Sequence, residues 1–102
     1  MVDSNITAKI RTALRINGTD AGITAEINDS IEACRRELEE VGVVNASDGD
    51  ALIIRAYTLY AKADFDFCGK GEQFRASFNS LKGALAMAED YNTAENGSEG
   101  DV

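Results

Sequence analysis

The stretch whose reading decides the fold is Ala51-Leu52-Ile53-Ile54-Arg55-Ala56-Tyr57-Thr58-Leu59-Tyr60-Ala61-Lys62-Ala63-Asp64-Phe65-Asp66-Phe67. Read at 3.6 residues per turn, it is apolar almost all round: Leu52, Ile53, Ala56, Tyr57, Leu59, Tyr60, Ala63 and Phe67 leave no wide polar face. Its polar line is narrow, formed by Arg55, Thr58, Lys62 and Asp66. A helix with so little polar surface is expected at the centre of a bundle or under a neighbouring subunit.

Working outward, the polar run Asn45 to Asp50 precedes this helix and reads as a loop, with Ser47-x-x-Asp50 resembling a capping box. Before it, Ile27, Ile31, Cys34, Leu38 and Val41 recur at steps of four, three, four and three. That seam predicts a helix starting between Asp20 and Thr24 and reaching Val41, closed by Gly42. A shorter helix is expected over Ser4 to Ile16 on the stripe Ile6, Ile10, Ala13 and Leu14, capped by Asp3 or Ser4 and ended by Asn17-Gly18. On the other side, Gly69-Lys70-Gly71 breaks the chain. Phe74, Phe78, Leu81, Leu85 and Ala88 then predict a helix from Glu72 to Asp90. The expected fold is all-α: a small bundle of four helices in one domain, residues 1–91, with a flexible acidic tail over 92–102.

Composition agrees. Among 102 residues there is no Pro, and Ala, Leu, Glu, Lys and Arg are abundant, all good helix formers. The net charge is −8, with no His. Five acids, Glu89, Asp90, Glu95, Glu99 and Asp101, fall in the last 14 residues, leaving 13 acids against 10 bases in the rest. The acidity is therefore largely a tail property, and such a surface repels nucleic-acid phosphates. The first 20 residues hold no apolar run, so neither a signal peptide nor a membrane span is expected, and the chain is read as cytosolic where it is made. Cys34 and Cys68 are too few for a disulfide scaffold, and Cys34, on an apolar stripe, is expected to be a buried free thiol.

Searching for chemistry yields no catalytic residue, no cofactor site and no metal site. Without His, nucleophile–His pairs and His-ligated metals are impossible. Lys70 lies between two glycines but lacks the spacing and preceding strand of a phosphate loop. Asp48-Gly49-Asp50 lacks the ligand ladder of a calcium loop and reads as a cap and turn. No acid falls on an apolar stripe where burial would raise its pKa; Asp64 and Asp66, flanking Phe65, come nearest and read as an exposed helix end. The positive signal is aromatic: Tyr57, Tyr60, Phe65, Phe67, Phe74 and Phe78 crowd into 22 residues. They form either an ordinary core between the third and fourth helices or, in part, a surface that meets a partner.

The run Leu52-Ile53-Ile54-Arg55-Ala56-Tyr57, then Phe74-Arg75-Ala76-Ser77-Phe78-Asn79-Ser80-Leu81-Lys82, then Ala86-Met87-Ala88-Glu89-Asp90-Tyr91 resembles small head–tail connector proteins of tailed bacteriophages and prophages, often labelled DNA-packaging proteins. Upstream, Ile10-x-x-Ala13-Leu14-Arg15-Ile16 and Ile27-x-x-x-Ile31-Glu32-Ala33 fit the same pattern, so the likeness spans roughly residues 5 to 91. The segment after Tyr91 departs from it. The resemblance implies a structural, non-enzymatic virion protein at the virion neck, made in the cytoplasm of a bacterial host. Its partners would be further copies of itself in a ring, the portal protein and a tail-completion protein. DNA would pass through the ring without specific binding. The subunit interface expected on this view is carried by Arg55, Tyr57, Thr58, Lys62 and Asp66. The rival reading is an acidic helical regulator, a DNA mimic or anti-repressor bound to a basic partner, which requires acids along one continuous face.

Overall fold

The computed structural model describes residues 2–93, which form five α-helices and one 3-10 turn with no strand among them. Helix α1 is Ser4–Ala13, α2 is Ala21–Glu40, α3 is Ala51–Asp64, α4 is Gly71–Met87 and α5 is the single turn Glu89–Asn92. An aspartate starts each of the first three. Asp3 accepts from the Asn5 amide, Asp20 from Ile23, and Asp50 from both Leu52 and Ile53, pairing backbone donors that have no partner inside the helix. The cap of α3 is thus Asp50 itself. Ser47, expected to cap in a box with it, instead accepts from Gly49 and makes the turn before it.

Helix α2 ends where Gly42, at φ +90°, turns left-handed. The Val43 amide then reaches back to the Leu38 carbonyl at 2.9 Å and Gly42 to Glu39 at 3.0 Å, while Leu38 and Val43 are both buried. This paired closure with an apolar contact satisfies carbonyls that would otherwise face nothing.

Helix α3 lies at the centre and touches α1, α2 and α4. Ile6, Ile10 and Leu14 of the first segment, Ile27, Ile31, Cys34 and Leu38 of α2, Ile53, Ala56, Tyr57 and Ala61 of α3, and Phe78 and Leu85 of α4 form one core. Each fully buried large apolar side chain among them contributes about 1.5–3 kcal/mol. The aromatic residues mostly join this core: Tyr60 and Phe78 meet edge-on at 5.1 Å, and Phe67 and Phe74 at 6.1 Å.

Three boundaries differ from the periodicity. The first helix stops at Ala13, about one turn before Asn17-Gly18, because Arg15 itself takes φ 60°. The third stops at Asp64 rather than Phe67: Asp66 is left-handed, and its carboxylate accepts from the Gly71 amide at 2.8 Å. Gly71 must be small here, since a Cβ would sit 2.7 Å from that carboxylate and 3.0 Å from the Ala63 carbonyl. The fourth, expected to run to Asp90, breaks at Ala88, which is extended (φ −87°, ψ 126°). The expected tail begins at Asn92, which closes α5; its residues 94–102 lie outside the described residues.

Candidate assembly surface

Outward from the core, α3 presents a face on which Ala51, Ile54, Arg55, Thr58, Leu59 and Lys62 line a shallow groove of roughly 390 Å3. Ile54 and Leu59 are half-buried, and Leu52 beside them is 42% exposed. The groove is therefore mixed, with apolar walls from Ala51, Ile54 and Leu59 and two cations on it. Arg55 is exposed, whereas Lys62 is half-buried with its ammonium over the rings of Phe67 (4.7 Å) and Phe74 (5.3 Å). Thr58 turns its hydroxyl back to donate to the Ile54 carbonyl at 2.9 Å, leaving its methyl to the groove.

Arg55, Thr58 and Lys62 thus come together as the sequence predicts, but Tyr57 and Asp66 do not. Tyr57 is fully buried. Its hydroxyl donates to Asp48 at 2.7 Å and accepts from Arg35 at 3.1 Å, and Arg35 also pairs with Asp48 at 2.6 Å. This ring cannot face a partner: on a helix surrounded by three others, its position points inward. Burial, then the Asp48 carboxylate against the opposing pull of Arg35, raises its phenol to about 12. Asp66 serves the α3–α4 turn as the acceptor for Gly71. Leu52, Ile54 and Leu59 were missed as surface-formers. The signal was present, since 51, 54, 55, 58, 59 and 62 step by threes and ones along a single helical face.

A second polar group fixes the other side of α3. Glu37 accepts from Arg75 at 2.9 and 3.1 Å and from Lys82 at 3.2 Å, tying α2 to α4. Arg75 also lies over Tyr60 and Phe78. Burial alone would push the Glu37 carboxyl up, but hydrogen bonds from Arg75, Lys82 and Tyr60 hold it below the usual carboxylate range. Between α2 and the end of α3 lies a groove lined by Glu26, Asp29, Ser30, Ala33, Asp64 and Phe65, acidic where the α3 groove is basic. Asp64 there accepts from Ser30 at 2.5 Å.

Residues 6–92 match the family model described as phage connector protein. The chain belongs to the phage connector protein family. The match covers nearly all the described residues, and the family is the one the resemblance led one to expect. Comparisons with curated proteins and with solved structures returned no match. Among the described residues, no helix is long and apolar enough to cross a membrane, and no group of acids or cysteines is disposed to hold a metal ion.

Proposed function

We propose that this connector-family chain is a structural neck protein that assembles as a closed ring below the portal, extends the DNA channel and docks a tail-completion protein. The observation that carries the reading is the family match together with two unlike grooves on one subunit. A ring needs a heterologous contact, in which one surface of each copy meets a different surface of the next. The basic groove of α3 and the acidic groove beside α2 are complementary in charge, and opposite charge fixes register while suppressing wrong pairings. The net charge of −8 fits a channel that phosphates slide through without adhering.

The regulator reading is the weaker one. A DNA mimic needs acids free along one continuous face, whereas Glu37, Asp48 and Asp50 are each engaged inside the domain and Glu26, Asp29 and Asp64 are gathered in one local groove.

Charge reversal tests the pairing. Arg55 is exposed and outside the core, so Arg55→Glu is expected to keep the wild-type melting temperature within a degree or two yet weaken self-association at least tenfold by analytical ultracentrifugation. A second reversal, Asp29→Lys, should restore part of the loss. Unchanged association in Arg55→Glu would remove Arg55 from the interface.

A further inference from the structure

The run Ala84-Leu85-Ala86-Met87-Ala88-Glu89-Asp90-Tyr91 contains no Gly or Pro and is composed largely of good helix formers. Nothing local asks a helix to stop there. Yet α4 ends at Met87, Ala88 is extended, and α5 turns away. Met87, on the last turn before the break, is 86% exposed, the most of any large apolar side chain among the described residues.

What holds the break is distant in sequence. The Val44 and Asn45 amides both donate to the Tyr91 carbonyl, at 2.8 and 3.1 Å. The Asn45 side-chain amide donates to the carbonyls of Asp90 (2.9 Å) and Thr93 (2.5 Å). The Tyr91 hydroxyl reaches both oxygens of Asp50, at 3.0 and 2.9 Å. Five hydrogen bonds, one of them shared between the two Asp50 oxygens, therefore join the 44–50 loop to a single turn whose Tyr91 ring is partly buried against the core.

We propose that this clasp is a latch, and that residues 88–92 switch between the folded-back turn and a continuation of α4. Opening replaces the clasp with the ordinary ladder of an α-helix, so that Ala88, Glu89 and Asp90 donate to Ala84, Leu85 and Ala86. Five added residues carry the start of the acidic C-terminal segment about 7 Å further along the α4 axis. Opening also uncovers the Val44 and Asn45 amides and frees the second acceptor sites of Asp50, which remains the cap of α3. The device decides where the acidic segment leaves the domain: beside the α3 N-terminus when closed, off the end of α4 when open. It stands apart from the ring reading, because it concerns the backbone of one chain.

The test is carbon chemical shifts at Ala88 in the full-length chain. The wild type should give extended-backbone Cα and Cβ shifts. The double variant Asn45→Ala, Tyr91→Phe removes the side-chain half of the clasp but keeps the aromatic ring that packs on the core; in it the Ala88 shifts should move to helical values. Adding Ala88→Gly to that variant should lower the open population about fivefold, the helix penalty of glycine over alanine, read from the Glu89 and Asp90 shifts. Ala88 remaining extended in the double variant, or residues 88–92 moving to random-coil shifts, would overturn the proposal.

Discussion

At the scale of single residues, this small domain uses buried polar groups sparingly, and each has a task. Tyr57 fills core volume with its ring and ties α2 to the 45–50 loop with its hydroxyl. Tyr57→Phe keeps the ring but strands neither partner completely, because Arg35 and Asp48 still hold each other at 2.6 Å and are partly open to water. The expected cost is about 1.5 kcal/mol, at the low end for a lost hydrogen bond to a charged group, measured by urea unfolding. The two cysteines should behave oppositely. Burial, and next the nearby Glu37 carboxylate, raise the Cys34 thiol to about 12, whereas Cys68 is exposed in the α3–α4 turn. Since the thiolate is the reactive form, a thiol reagent should titrate one cysteine in the native protein and two in denaturant. Two fast thiols in the native state would mean that the core around Cys34 opens readily.

At the scale of elements, α3 is decisive, and its start carries the clearest pH dependence. The Asp50 carboxyl is held below its usual range, first by the Tyr91 hydroxyl and then by the Leu52 and Ile53 amides, against a small burial effect. A carboxyl with a depressed folded-state pKa contributes stability above its unfolded pKa of about 3.9 and loses it as pH falls through the lower folded value. Unfolding midpoints should therefore decline below about pH 4. Asp50→Asn, which still caps the helix and accepts from Tyr91 but does not titrate, should flatten part of that decline; an unchanged slope would place the acid sensitivity elsewhere, with Glu37 next in line. The helices themselves were legible because apolar spacing is a local signal: the seam from Ile27 to Leu38 and the stripe Phe74, Phe78, Leu81, Leu85 fall where α2 and α4 lie. Their ends were less so. Arg15, Asp66 and Cys68 take left-handed backbone that their side chains do not advertise, and the Ala88 break is imposed by a loop more than forty residues away. The inward turn of Tyr57 was equally illegible, since a helix apolar on every side does not reveal which side meets α2.

At the scale of the whole molecule, the proposed ring would make each of these domains one link of a closed assembly. Its four longer helices share one buried core, so the monomer should fold on its own, and two unlike grooves lie on its outside. That combination suits subunits that are made separately and join late. Contacts of this kind, partly apolar and partly charged, should loosen as salt rises, because exposed charges are screened beyond about 8 Å at physiological ionic strength. The most direct measurement is negative-stain electron microscopy of the purified chain, alone and mixed with portal protein, paired with native mass spectrometry over a range of concentrations. Closed rings of uniform copy number are expected, scarce at low concentration and abundant with the portal. A chain that remains monomeric at high concentration and beside the portal would contradict it.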